Sequence, residues 1–248
     1  MEEILVSVII PAYNCAGCID QAVQSALMQD MALEVIVIND CSPDDLDAVM
    51  AKYSKDARVR YVKNAKNQGV AATRNRGVAL AKGRYIAFLD ADDIWRESKL
   101  SKQLACMEET GAVLCATARE LMNPAGELSG RIFPIAREFI FKELCKQNFI
   151  SCSSVVLTAE VAKEFPMGHD DAHEDYLLWM QILKKYGRGC GVNEPLLLYR
   201  LSNTGKSGSK WNSAKMTFKT YRYMGFGFFR SVFCFLTYTF HGIKKYYL

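Results

Sequence analysis

Residues 83–93 read GRYIAFLDADD. An unbroken apolar and aromatic run, Tyr85–Leu89, gives way without a spacer to three carboxylates in four positions, Asp90, Asp92 and Asp93. A run of that length and character fits a strand buried on both faces. Three carboxylates at its exit repel one another unless a cation sits among them. Hard divalent cations such as Mg²⁺ or Mn²⁺ take carboxylate and phosphate oxygens. The plain alternative is a solvated acidic turn, and the position at a strand exit argues against it.

Upstream the same grammar repeats. Val6–Ile10 is apolar and β-branched and is expected to end at Pro11; Glu34–Ile38 (EVIVI) ends at Asn39-Asp40; Val59–Val62 is a shorter run. Helical spacing lies between them, over Ile19–Met28, Asp44–Tyr53 and Val70–Ala81, with Gly83 as the expected C-cap of the last. Strand–helix alternation of this kind predicts an open, mostly parallel α/β sheet. Ligands of such sheets bind beyond the carboxyl ends of the strands. Pro11–Asn14, Asn39–Ser42 and Asp90–Asp93 are therefore expected to converge on one crevice.

Downstream the pattern loosens. A helix is expected at Leu100–Glu109, a strand at Ala112–Ala116, a strand at Ser154–Leu157 and a short helix at Ala159–Glu164, while 120–150 carries no regular pattern. Glu174–Tyr186 has clear helix spacing and Gly187 at its end, and Pro195–Tyr199 reads as extended. Residues 202–209 (SNTGKSGS) form a small-residue loop, and the rest is helical in pattern and rich in aromatics. There is no internal repeat.

The 248 residues are half apolar and 23% charged, enough for a sizeable core and unlike a disordered chain. The net charge of +4 hides an asymmetry: nine Lys or Arg and no acid from Pro195 to Leu248, against 22 basic and 27 acidic residues before it. A basic tail on an acidic body points to an anionic partner, whether nucleic acid, lipid or a diphosphate. The start, MEEILVSVII, is acidic before it is apolar and does not read as a signal peptide. No uncharged apolar run reaches the ~18–20 residues of a membrane span. Three His and nine irregularly spaced Cys give no zinc-cluster pattern, and the thiols are expected to be reduced. Cys15 and Cys18 form a C-x-x-C pair near the opening of a helix, for which redox chemistry is the weaker reading.

TGKSGS at 204–209 imitates the end of a phosphate-binding P-loop, but Arg200 stands where that motif needs its first Gly. G-x-G-x-x-G is absent after the first strand, which excludes the usual dinucleotide site. Asp40 either caps the following helix or accepts a hydrogen bond from a base or sugar. Glu174-Asp175 opens a helix, where acids are favourable at ~0.3–1 kcal/mol, or supplies a general base.

Taken together and in order, VSVIIPAYNC, VIVINDCS, NQGVAATRNRGVALAKGRYIAFLDADD and HEDYLLW resemble the inverting family 2 glycosyltransferases of GT-A fold, over roughly residues 4–200. The resemblance implies a nucleotide-diphospho-sugar transferase fold: a glycosyltransferase domain over 1–210, with 1–95 binding nucleotide and 96–210 the acceptor, and a helical tail over 211–248. It implies that Pro11 and Tyr13 flank the nucleobase, that Asp40 accepts from it, and that Asn67, Gly69 and Arg74 lie near the nucleotide. Asp90 and Asp92 match the D-x-D pair, the first reaching the ribose and the second a Mn²⁺ or Mg²⁺ that bridges the diphosphate. Asp175 matches the general base, and Trp179 an aromatic of the same helix. Relatives often carry His near position 202; here Ser202 and Asn203 stand there, so the diphosphate falls to Arg200 and Lys206.

The implied activity is metal-dependent transfer from a UDP-sugar to a glycan acceptor on a lipid carrier, in cell-surface polysaccharide synthesis. A catalytically dead sugar-nucleotide or glycan-binding module is the alternative, which loss of an acidic motif would favour. A nucleotidylyltransferase would need a Gly-rich loop where PAYNC stands. In the tail, Arg230 and His241 interrupt the 21 residues between Arg222 and Lys244, so a spanning helix is not expected. Phe-rich and thinly basic, the tail suits an anionic membrane surface better than nucleic acid, with Arg230, Lys244 and Lys245 at the headgroups. The expected location is peripheral, on the cytoplasmic face of the cell membrane.

Overall fold

The computed structural model describes residues 4–201 and 210–247. Its first half alternates strictly: β1 (Val6–Ala12), α1 (Ile19–Leu27), β2 (Leu33–Asn39), α2 (Leu46–Ala51), β3 (Val59–Lys63), α3 (Val70–Leu80) and β4 (Tyr85–Phe88). The second half runs β5 (Ile94–Trp95), α4 (Lys99–Thr110), β6 (Leu114–Met122), β7 (Leu128–Phe133), β8 (Glu138–Ile140), α5 (Phe141–Leu144), β9 (Val156–Thr158), α6 (Ala159–Glu164), α7 (Glu174–Tyr186) and β10 (Arg188–Arg200). Helices α8 (Lys210–Tyr223) and α9 (Phe228–Tyr247) follow.

One sheet holds these strands in the order β3-β2-β1-β4-β9-β6-β10-β5, with β7 on β6 and β8 on β10. The first four are parallel, as expected of continuous apolar runs. β9 inserts antiparallel between β4 and β6, and β10 lies parallel to β6. Alternation along each strand splits the core. Ile9, Ile86 and Phe88 face α3 and α7 on one side of the sheet. Val8, Ile10, Ala87 and Leu89 face α1 and α4 on the other. Each of the larger side chains, the Val, Ile, Leu and Phe, stabilises by roughly 1.5–3 kcal/mol when fully buried.

Several boundaries differ from expectation for identifiable reasons. β1 does not end at Pro11 but continues to Ala12, with Pro11 opposite Ile38 of β2. Pairing with β4 stops at Ile9–Phe88, so the missing N–H of Pro11 falls on the unpaired side, the only kind of place where a strand tolerates it. Gly83 is not the cap of α3, which ends at Leu80 with Ala81 beyond it. A Cβ on Gly83 would lie 2.6 Å from the backbone nitrogen of Ser7, so its role is close passage against β1. Gly187 does end α7, at φ 86°. Within 120–150, where no pattern was read, β6 runs on to Met122 and pairs with β7, and β8 forms on β10. The strand expected from Ser154 begins at Val156, after a 3-10 turn at Cys152–Ser154.

The tail is two helices rather than one stretch. Tyr221, Met224, Phe226 and Cys234 are buried in the same core as Trp179. Tyr221 stacks on Phe226 and meets Tyr176 hydroxyl to hydroxyl at 3.1 Å. Asp171, in the acidic run before α7, receives Lys219 at 2.7 Å and Tyr223 at 3.0 Å. The start of the tail therefore belongs to the body. None of the helices is long and apolar enough to cross a membrane, among the described residues.

Candidate active site

The loops leaving β1, β2 and β4 meet beyond the strand ends, and side chains tie those of β1 and β2 together. Ser42 accepts from the backbone N–H of Asn14 at 2.7 Å, and its own N–H donates to Asn39 at 2.7 Å. Asp44 accepts from the Ala16 N–H at 2.7 Å and from the Ser42 hydroxyl at 2.5 Å. Asn14 and Cys41 adopt left-handed backbone, at φ 51° and 58°. Tyr13, beside the Pro11 exit, presents its ring to solvent at 52% exposure, as an aromatic platform must. Cys15 and Cys18 are free thiols; burial pushes Cys15 up to about 12, far from a redox thiolate.

Asp40 is buried and its carboxylate is already in use. It accepts from Asn64 Nδ2 at 2.6 Å and from the backbone N–H groups of Gln68 and Gly69, each at 2.9 Å. Asn67 adds a bond to the Gly69 N–H at 3.2 Å. Gly69 sits at φ 88°, and a Cβ there would meet Asp170 Oδ2 at 2.4 Å, so both conformation and space demand glycine. Asp40, Asn67 and Gly69 thus converge on the loop that starts α3.

The three carboxylates of the GRYIAFLDADD stretch have separate environments. Asp90 is half-buried; its N–H donates to the Ser153 hydroxyl at 3.0 Å and its Oδ1 accepts from Arg74 Nη2 at 2.6 Å. Asp93 is enclosed, 1% exposed, accepting from the Ser153 hydroxyl at 2.5 Å and the Arg200 N–H at 2.9 Å. Burial, then the charges of Asp90 and Asp92, push its pKa well up. Asp92 is half-buried, and no other side chain hydrogen-bonds its carboxylate among the described residues. Burial and then Asp90 raise its pKa. Clustered hard oxygen donors, one of them without a bonding partner and with its pKa raised by burial and by the neighbouring Asp90, suit a divalent cation, whose charge would relieve that repulsion. Asp90 and Asp92 fit Mg²⁺ or Mn²⁺ on this ground.

The resemblance implies that Arg74 lies near the nucleotide. It is buried, and its guanidinium joins Asp90 on one side to Glu174 Oε1, at 3.0 Å, on the other. Burial opposes its charge, but Asp90 first and Glu174 with it more than compensate, so it stays protonated. Its Nε has no partner among the described residues. Arg200, assigned to the diphosphate, donates to Asp92 O at 2.8 Å, Pro124 O at 3.0 Å and Gln21 Oε1 at 2.7 Å. It therefore fixes the Asp92 backbone. Lys206 lies outside the described residues.

Glu174 and Asp175 open α7, and the structure separates them. Glu174 is buried and bound to Arg74, whereas Asp175 is half-buried, accepting from the Tyr176 N–H at 2.7 Å. Burial first, then Glu174, raise the Asp175 pKa, while Arg74 lowers it. A carboxylate shifted upward is a better proton acceptor near neutral pH. Trp179 is fully buried against Phe88 and serves the core. Sequence reading missed Ser153, which bridges Asp90 and Asp93. It also missed Asn64, Gln68 and Asp170, which shape the loop around Asp40. Only the polar character of these residues hinted at them.

Comparison with known proteins fits this architecture. The family model "Glycosyl transferase family 2" matches residues 7–156. A putative teichuronic acid biosynthesis glycosyltransferase, TuaG of Bacillus subtilis, is 34% identical over 97% of both chains. The Escherichia coli enzyme WfaP, named UDP-Glc:alpha-D-GlcNAc-diphosphoundecaprenol beta-1,3-glucosyltransferase, is 33% identical over 97% of this chain and 95% of its own. S. aureus TarS 1–349 superposes with a TM-score of 0.73 at 18% identity, over 97% of this chain and 72% of TarS. Its complex with UDP-GlcNAc gives 0.72 at 19% identity, over 88% of this chain and 65% of that one.

Proposed function

The chain belongs to glycosyl transferase family 2 and is a glycosyltransferase, and from that premise we propose an inverting, metal-dependent transfer from a UDP-sugar to a hydroxyl of a lipid-linked glycan. One observation carries the reading. Arg74 binds Asp90 of the donor side and Glu174 of α7 in one buried cluster. That cluster holds Asp175 at a fixed place relative to the D-x-D loop, which is the positioning a single displacement requires.

In this reading Tyr13 and Pro11 flank the base, and Asp40 holds the Asn67–Gly69 loop beside it while accepting from it. Asp90 reaches the ribose. A divalent cation bound by Asp90 and Asp92 would neutralise charge on the diphosphate. Asp175 accepts the acceptor's hydroxyl proton as that oxygen bonds to the anomeric carbon and the bond to UDP breaks. The oxygen arrives opposite the leaving group, so an α-linked donor yields a β-linked product. Arg200 keeps Asp92 in place, and Lys206 serves the diphosphate.

The name of WfaP, a UDP-Glc transferase acting on a diphosphoundecaprenol-linked sugar, supports a UDP-sugar donor and a lipid-linked acceptor. TarS complexes with UDP and UDP-GlcNAc support the same donor class. Helix α9 supports attachment to an anionic membrane surface on the side where such acceptors are exposed. Phe229, Phe233, Leu236 and Phe240 repeat at helical spacing and are 87%, 67%, 62% and 66% exposed. The opposite face, with Ser231 and Cys234, is buried. An apolar stripe on a basic tail suits the interfacial plane of a bilayer. The test is a screen of UDP-, GDP- and dTDP-sugars for hydrolysis and for transfer to a diphosphopolyprenyl-linked sugar, with Mn²⁺. Turnover of a UDP-sugar is expected; turnover of GDP-sugars alone would overturn the donor assignment.

A further inference from the structure

Cys106, Cys115 and Cys190 sit far apart in the sequence and carry no metal-binding spacing. The fold brings them together. Parallel pairing of β6 and β10 sets Cys115 beside Cys190, and α4 lays Cys106 across them. All three are buried, and their sulfurs lie within 4.8 Å of one another. Three thiols packed as small apolar groups would need no polar neighbours, yet this part of the core has several.

Lys99 is fully buried, its Nζ donating to Gln103 Oε1 at 2.6 Å and lying 4.1 Å from the centroid of the Trp95 ring. It has no carboxylate partner among the described residues. Gln103 in turn donates to the carbonyl of Cys115 at 3.1 Å. Thr117, two positions along β6 and so on the same face as Cys115, is buried with a hydroxyl that no group meets among the described residues.

We propose that Cys106, Cys115 and Cys190 form a structural site for a thiophilic divalent cation of the Zn²⁺ class. Binding releases three thiol protons. Three thiolates and a dication leave one negative charge, which a protonated Lys99 would cancel. Zn–S bonds of about 2.3 Å place the sulfurs of a tetrahedral site about 3.8 Å apart, so the cluster contracts by about 1 Å at most. Gln103, bonded to the Cys115 carbonyl, fixes the backbone that carries one of the three ligands. The ion would clasp α4 to β6 and β10, and β10 ends on Arg200, which holds Asp93 and Asp92. Soft sulfur here and hard oxygen at Asp90 and Asp92 keep this cation and the proposed donor-site cation in separate places.

The experiment titrates the reduced full-length protein with Cd²⁺, in the presence of Mg²⁺ to fill oxygen sites. One Cd²⁺ per chain is expected, with a thiolate-to-cadmium charge-transfer band, a raised melting temperature and three sulfur neighbours in the cadmium absorption-edge spectrum. Cys106→Ser and Cys190→Ala should lose the band, and exposed Cys41→Ser should keep it. Two or fewer sulfur neighbours in the wild type, no band, or a band that only Cys41→Ser removes would overturn the site. The wild-type edge spectrum decides the matter even if a core variant fails to fold.

Discussion

The crevice loops and the outer face of α9 leave opposite things unspent. Around the crevice, backbone and side-chain polar groups are tied to one another, and what stays open is charge, the Asp92 carboxylate and the half-buried Asp175, beside the exposed ring of Tyr13. On α9, Thr237, Thr239 and His241 bond back to carbonyls of the same helix, and what stays open is apolar area, Phe229 through Phe240. Groups that must act on a ligand in a defined geometry gain from preorganisation. A surface that meets a fluid apolar phase needs only area and orientation. The comparison implies that substitutions at the crevice cost turnover or fold, and that substitutions on the α9 stripe cost neither.

The sharpest break is at Asp92. Asp92→Asn keeps the shape and removes the one D-x-D carboxylate with no bonded neighbour. Transfer should fall by roughly 10³-fold or more, the several kcal/mol a metal contributes to the barrier. Circular dichroism should be unchanged, and EDTA should reproduce the loss in the wild type. Full activity in EDTA would remove the metal from the account.

Next comes Arg74→Met, which strands two carboxylates. Breaking a buried ion cluster by removing one partner costs about 3–5 kcal/mol. The denaturant midpoint should drop accordingly; a midpoint like the wild type's would mean that Asp90 and Glu174 do not depend on Arg74.

A smaller effect lies in the pH profile. The proposed base must be ionised, so the rate should rise with pH through the Asp175 pKa, which burial raises. Glu174 raises that pKa and Arg74 lowers it. Glu174→Gln should therefore move the acid limb to lower pH and Arg74→Met to higher pH. Shifts in the same direction would place the titrating group elsewhere.

The smallest expected change in fold is on α9. Phe229→Ser with Phe233→Ser should alter stability by no more than about 0.5 kcal/mol, as for surface positions generally. Pelleting with phosphatidylglycerol vesicles should nonetheless be lost. Retained pelleting would assign membrane contact to other residues; a large loss of stability would mean that the stripe packs against protein.

Legibility in the sequence followed the range of the interactions. β1, β2 and β4 were readable because a strand buried on both faces writes itself as a continuous apolar run. The strand-exit carboxylates were readable because chain direction alone places them at the sheet's ligand-binding edge. The Asp93–Ser153 bond spans 60 residues and the Arg200–Asp93 bond 107, and no local pattern encodes either. β7 is largely exposed, so it lacks the apolar signature that marks buried strands. Gly83 shows how a local rule misleads: it stands where a C-cap belongs, but its lack of a side chain answers to Ser7, a neighbour only in the folded chain. The trithiol cluster is the same lesson in the core, built by β6–β10 register and the lie of α4.

The account rests most directly on Asp175 as the base. The deciding measurement compares Asp175→Asn with Glu174→Gln for transfer from a UDP-sugar, alongside UDP affinity. Transfer by Asp175→Asn should fall by roughly 10²–10⁴-fold, the scale of general base catalysis, with UDP affinity little changed. Normal transfer by Asp175→Asn together with an inactive but folded Glu174→Gln would contradict it.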